Sequence, residues 1–193
     1  MFWKKRNVIA YSKSCYLRLP VLKDYTDWVN LRRESEDFLI AWEPKRERNF
    51  YSIAAFKARV KWSNRSFREL SALPTFIFSI ENDALLGALT LDNIKKGASR
   101  SASVGYWIGK PYARNGYMTE ALNALKIKAF NKLNISRLEA ATLPDNEASR
   151  KLLEKVGFKY EGVAQSYLQI DGRWRNHVMY SLLRNDRRGR LDQ

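Results

Sequence analysis

Sulfur and imidazole are nearly missing from this chain, whose 193 residues include one cysteine, Cys15, and one histidine, His177. A single thiol cannot close an internal disulfide, and one thiol with one imidazole falls short of the ligand sets that hold zinc, so no metal is expected. Long apolar runs are lacking too. None approaches the roughly 18 residues that span a bilayer, and the opening MFWKKRN has no signal-peptide core. The expectation is a soluble, cytoplasmic protein that does not enter a membrane. Negative charge is also scarce: 20 Asp and Glu face 35 Lys and Arg, a formal charge of +15. Such a field favours polyanions such as RNA, ribonucleoprotein, an acidic membrane or a phosphate-rich small ligand, without choosing among them. Basic residues cluster at Lys4 to Arg6, at Lys45 to Arg48 and in the tail at Arg184, Arg187, Arg188 and Arg190. A solvated basic surface explains each cluster equally well.

What is present points to one packed domain. Apolar residues make up 45% of the chain and there are six tryptophans, enough to build a core, while the length is too short for two ordinary domains. The expected domain runs over residues 1–193, with its core at about 15–184 and a basic tail at 184–193. CYLRLP alternates polar and apolar residues like a short strand ended by proline. Leu22 to Arg33 and Tyr51 to Leu70 have helical spacing. Thr75 to Ile80 and Leu85 to Leu91 flank Glu81-Asn82-Asp83 as a hairpin, and Ser101 to Gly109 reads as a third strand. A helix follows with Met118, Ala121, Leu122, Leu125, Ala129 and Leu133 along one stripe. Ile135 to Leu143 reads as a strand. PDNEASRKLLEKVGF has the punctuation of a helix, with Asp145 or Asn146 to cap it and Gly157 to end it. Asp171-Gly172 marks a closing two-strand hairpin. This order predicts a mixed α/β sheet with helices on its faces.

The stretch GYWIGKPYARNGYMTEAL contains the first candidate site. A helix start leaves backbone N–H groups without intrahelical partners and carries about half a positive charge, so it suits an anion. Gly116 there has no Cβ to hold a phosphate away, and Arg114 adds a full charge; an ordinary strand-to-helix turn would also look like this. About thirty residues on, a second capped helix begins at Asn146. If the two preceding strands are neighbours, both helix starts flank one crevice at the carboxyl ends of the strands, where ligands of open α/β sheets lie.

YWIGKPYARNGYMTEAL followed by PDNEASRKLLEKVGFKYEG resembles the GNAT acetyltransferases, and within them the Rim-type enzymes that acetylate the amino termini of ribosomal proteins. WEP at Trp42 to Pro44 and the closing YLQIDGRWRNHVMYSLL resemble the RimJ-like branch. The resemblance covers about Leu17 to Leu183 and implies the GNAT fold, acetyl-CoA as cosubstrate and the N-terminal α-amine of a ribosomal protein as acceptor, an alanine where the RimJ-like match holds. It implies that the backbone amides of Ala113, Arg114, Asn115, Gly116, Tyr117 and Met118 hold the pyrophosphate. The pantetheine arm then pairs with the strand ending at Ile108, and Asn146, which also suits a helix cap, helps hold it. The chain departs from the common pattern with Ala113 in place of Gln or Arg and Met118 in place of a small residue. It has Leu153 where many relatives carry a tyrosine acid, and Leu168 where the RimL-like branch carries a glutamate base.

Acetyl transfer to an amine needs a neutral amine, a polarised carbonyl and a proton for the leaving thiolate. An α-amine with a pKa near 8 loses its proton more readily than a lysine near 10.4, so direct attack on the thioester needs only a modest base. Amides around Trp107 and Ile108 would stabilise the oxyanion. Ser149 matches the serine that serves as acid in the RimL-like branch, and it also suits a helix first turn. Glu43 is a candidate base from the wall of the acceptor groove, or a surface carboxylate. His177 reads as a base or a structural hydrogen-bonder, Glu120 as a stabiliser of the helix start and Cys15 as packing. Two other functions fit the same features: acetylation of a small amine or antibiotic, and non-catalytic binding of RNA or the ribosome through the basic surface.

Overall fold

A computed structural model describes residues 8–185; the basic residues 4–6 and 187–190 singled out above lie outside them. Eight strands form one sheet in the order β1-β2-β3-β4-β5-β6-β8-β7. They are β1 (Val8–Tyr11), β2 (Cys15–Arg18), β3 (Leu73–Ser79), β4 (Leu85–Asp92), β5 (Ser101–Ile108), β6 (Arg137–Thr142), β7 (Lys159–Ile170) and β8 (Arg173–Leu183). Five α-helices accompany them: α1 (Tyr25–Glu34), α2 (Glu36–Leu39), α3 (Ile53–Glu69), α4 (Tyr117–Lys132) and α5 (Glu147–Val156). Among the described residues no helix is long and apolar enough to cross a membrane.

The central strands read as continuous apolar runs because both faces of the sheet are covered. Alternate side chains sort into two cores. Leu17, Ile77 and Leu89 join Ala121, Leu125 and Leu153 of α4 and α5. Tyr16, Phe76, Phe78 and Ala88 turn the other way, toward Trp28 of α1 and Phe56 of α3. The alternation expected for CYLRLP therefore does not leave Arg18 in water. It is buried, bonded through both terminal nitrogens to the Asp24 carboxylate at 2.7 and 2.6 Å, and stacked 3.9 Å from the Phe78 ring centroid.

Four elements go beyond the sequence reading. The short strand β1 pairs with β2 and was not legible, since four residues give no period to read. Leu22–Asp24 forms a 3-10 turn before α1. Residues 36–42, which showed no helical period, form α2 and a second 3-10 turn, Ile40–Trp42. The closing hairpin turns at Asp171 and Gly172 with φ of 48° and 75°, the left-handed pair that a two-residue turn requires. Its tip is pinned, because the Asp171 N–H donates to the Glu43 carbonyl at 3.1 Å.

The feature that positions the site is a divergence. β5 and β6 are parallel but pair only over Ser101–Ser103 and Arg137–Glu139. Beyond Ser103, β5 keeps β4 as its partner through Ile108, while β6 keeps β8. The two strands separate toward their carboxyl ends and deliver the starts of α4 and α5 to one side.

Close approach holds β4 and β5 together at this point. A Cβ on Gly87 would sit 2.3 Å from the Trp107 carbonyl oxygen. Gly87→Ala is expected to cost about 2–3 kcal/mol by overpacking and to lower Tm by roughly 4–10 °C, as read by thermal denaturation followed by circular dichroism.

Candidate active site

In the gap between β5 and β6, every second residue of β5 turns its backbone outward. The Gly109 N–H bonds Leu86 O at 2.8 Å, and the Trp107 carbonyl faces Gly87, so odd-numbered positions serve β4. Val104, Tyr106 and Ile108 therefore present their N–H and C=O groups to the gap. Of the two oxyanion candidates, Ile108 offers its amide there and Trp107 does not.

The loop after β5 runs through a 3-10 turn, Lys110–Tyr112, into α4. Ala113 is extended, Arg114 has φ of 64°, and Gly116 at the N-cap has φ of 84°. Left-handed residues alternating with others gather successive N–H groups into one concavity, a nest for an anion. The first helical bond is made by Glu120, whose N–H donates to Gly116 O at 3.1 Å. No side chain caps the helix, and the space where a Gly116 Cβ would stand is open. Met118 is buried in the core and Tyr117 packs against it, part-buried. Arg114 and Asn115 are exposed beside them.

Across the gap, Asn146 caps α5 by accepting from the Ser149 N–H at 3.1 Å. The Ser149 hydroxyl lies 2.7 Å from the Tyr106 hydroxyl, so a two-hydroxyl bridge spans the opening between β5 and α5. Burial pushes the Tyr106 phenol up to about 12, against the opposing effect of the Ser149 hydrogen bond. At neutral pH both groups hold their protons. Tyr106 was missed in the sequence, where it stood only as one residue of the third strand; its pairing with a residue 43 positions on has no local signature.

The opposite face of β5 borders a groove of about 540 Å³, floored by Ala88, Thr90, Gly105 and Trp107 and walled by Arg59, Trp62 and Ser63 of α3. Glu43 stands near its head, although it does not line it. Both of its oxygens are engaged: Arg32 donates to them at 2.6 and 2.5 Å, and Arg46 donates at 3.0 Å. The Arg32 guanidinium lies 4.7 Å from the Trp107 ring centroid. Arg46, read as part of a surface cluster, is thus an internal ion-pair partner.

The remaining candidates serve the framework. Glu120 does not bond the amides of its own helix start. Its carboxylate accepts from the hydroxyls of Ser12 and Ser14 and from the Ser14 N–H, tying the β1–β2 turn to α4. Cys15 is fully buried, and burial raises its thiol pKa. His177 is buried with Nδ1 3.0 Å from the Arg175 carbonyl, which assigns that nitrogen the proton. Leu153 is core, and Leu168 is exposed on β7.

An uncapped helix start, an adjacent free strand edge and a groove on the far face thus meet around β5. Residues 15–159 match the acetyltransferase (GNAT) domain, and the chain belongs to that family as an N-acetyltransferase. Its relatives include Rim-type enzymes. It is 33% identical over 153 residues to the [ribosomal protein uS5]-alanine N-acetyltransferase of Escherichia coli, covering 79% of each chain. It is 30% identical over 174 residues to the probable N-acetyltransferase YjcK of Bacillus subtilis, covering 90% of this chain and 96% of that one. Among solved structures, Mycobacterium smegmatis RimJ in complex with CoA-disulfide superposes with a TM-score of 0.86 at 26% identity, covering 92% of this chain and 90% of that one.

The buried phenol makes a pH prediction. Its folded pKa lies above the unfolded value near 10, so the stability of keeping it neutral is intact below pH 10 and is lost as pH rises toward about 12. Urea midpoints measured at pH 9, 10 and 11 should fall more steeply for the wild type than for Tyr106→Phe.

Proposed function

We propose that this enzyme transfers acetyl from acetyl-CoA to the N-terminal α-amine, alanine first, of a ribosomal protein. The observation that carries the reading is the Tyr106–Ser149 bridge, set in the strand gap between a phosphate nest and a peptide-sized groove. The activity in the name of the Escherichia coli relative supports the acceptor. The +15 charge supports it independently, because a basic enzyme is drawn to an RNA-rich particle that presents its substrate. On this reading the enzyme works in the cytoplasm, and its basic surface meets ribosomal RNA.

The residues fit the cosubstrate. The amides of the Ala113–Met118 loop would hold the pyrophosphate, with Arg114 adding charge, and the outward groups of Tyr106 and Ile108 would pair the pantetheine arm beside Asn146. Acetyl-CoA supplies an activated acetyl thioester. The Ile108 amide stabilises negative charge developing on the thioester oxygen. Ser149, held by its hydrogen bond with the Tyr106 hydroxyl, gives the proton at Oγ to the leaving sulfur, and the proton shed by the attacking amine as the C–N bond forms returns through solvent to the hydroxyl pair, so that both groups end protonated. Glu43 could accept a proton only by leaving two guanidiniums, so we assign it a positioning role: it holds Arg32 against Trp107 at the head of the groove.

The test is acetylation of peptides beginning Ala-, Ser- or Met-, with an internal-lysine control, read by mass spectrometry. Acetylation at the α-amine of the Ala- peptide is expected. Product confined to lysine, or to small amines, overturns the assignment. Ser149→Ala should lower kcat by about 100-fold, within the usual range for a lost general acid, and Tyr106→Phe should lower it less. Glu43→Gln should raise the peptide KM more than it lowers kcat. Because the attacking amine must be neutral, kcat/KM should rise with pH and level off above about 8. Gly116→Val should weaken acetyl-CoA binding about tenfold or more in calorimetry, since a Cβ would occupy the open face of the nest.

A further inference from the structure

The groove is lined by a cation that has no ion pair among the described residues. Three guanidiniums surround the Phe50 ring, those of Arg32, Arg46 and Arg59, at 5.3, 5.2 and 5.9 Å from its centroid. Two carboxylates answer them. Glu43 is bonded to Arg32 and Arg46, and Glu36 is bonded to Arg46 at 2.6 Å. Among the described residues Arg59 has no ion pair. Its guanidinium is held instead by stacking, 5.2 Å from the Trp28 ring centroid, and it lines the groove. Packing against these rings and the nearby Arg32 charge lower its pKa, against the opposing effect of Glu43, while the residue stays exposed along the groove and open to an arriving anion. One turn further along α3, Ser63 is fully buried in the same wall and its hydroxyl has no partner.

We propose that Arg59 recognises the carboxylate of an acidic side chain close behind the N-terminal residue of the acceptor polypeptide. The inference rests on the N-terminal acetyltransferase reading and names the acceptor class more narrowly. A guanidinium ordered by stacking and short of a partner matches a planar carboxylate through two parallel N–H donors. Proximity sets the position in the peptide. Arg59 and Arg32 share the Phe50 ring, and Arg32 also covers Trp107 beside the proposed thioester site. An extended chain advances only about 3.3–3.6 Å per residue, so the carboxylate belongs to one of the residues directly following the acetylated one. The opposite charge in the groove, Asp92, is exposed at the far end of β4, beyond Thr90 and Gly105. A basic residue next to the N-terminus would meet Arg59 rather than Asp92 and is disfavoured.

The experiment compares full-length wild type, Arg59→Gln and Arg59→Lys on Ala- peptides with a single Glu or Gln at position two, three or four, together with free glutamate and glutamine. Each peptide carries one internal lysine, and each variant's melting temperature is measured to confirm folding. The wild type should favour Glu at one position by about tenfold or more in kcat/KM, as a charge-assisted hydrogen bond provides. Arg59→Gln should bring that ratio to near one, and Arg59→Lys should keep part of it. Equal use of Glu and Gln peptides by the wild type overturns the proposal, as does a ratio that survives in Arg59→Gln. A preference for free glutamate that depends on Arg59, with no preference among peptides, also overturns it. An Arg59-dependent Glu preference with acetyl found only on lysine would uphold the subsite while overturning the α-amine reading beneath it.

Discussion

The site depends on one interrupted ladder. A β-strand in the middle of a sheet normally satisfies its N–H and C=O groups on both sides, and leaving them unpaired in a buried place is costly. β5 does so on one side only after Ser103, where β6 swings away toward β8. Because β5 and β6 are parallel, both chains must leave the sheet at the same edge, and both continue into helices. The left-handed turn before α4 and the capped start of α5 are therefore consequences of the same divergence. The gap is not left wholly open, since the Tyr106–Ser149 hydroxyl pair bridges it at 2.7 Å.

The two faces of the sheet are built from different materials, and this division matches their tasks. Aliphatic side chains of β2 to β6 lock α4 and α5 in place, so the nest and the Asn146 cap sit on a rigid support. The other face is aromatic and rich in arginine: Trp28, Phe50, Tyr51, Phe56 and Phe76 pack at tilted angles, with Phe50 and Tyr51 edge to face, and guanidiniums are laid over several of the rings. Such a wall can border a polar groove without exposing a continuous apolar surface. The Asp171 bond to the Glu43 carbonyl fastens the β7–β8 hairpin to this wall, so the closing hairpin, far away in sequence, helps fix the acceptor side.

Much of this was legible because it depends on local chemistry. Gly116 and Gly157 stand where only a residue tolerant of positive φ fits, Asn146 caps as its side chain predicts, and Asp171-Gly172 turns as that pair must. The parallel neighbours β5 and β6 could be expected from the strand–helix alternation around them. Long-range pairings had no such signature. The engagement of Glu43 by Arg32 depends on how α1 meets the segment after α2, and that of Glu120 by Ser12 and Ser14 depends on β1, which was too short to read. Tyr106 shows the limit most clearly. In the sequence it stands only as one residue of the third strand, and only the fold reveals that its hydroxyl ends at Ser149.

That phenol bears on the departure at Leu153. Where the family pattern puts a tyrosine on the helix after the capping asparagine, this chain puts a fully buried leucine that secures α5 to the sheet. A phenol next to the first turn of α5 is nevertheless present, delivered from β5 and coupled to Ser149 rather than acting alone. On the proposed mechanism the proton donor is then a serine polarised by a tyrosine. Its position is fixed by two elements on opposite sides of the gap instead of by one side chain on the helix. On that mechanism proton delivery depends on the width of the gap itself, so the divergence that would admit the pantetheine arm would also set the geometry of the acid.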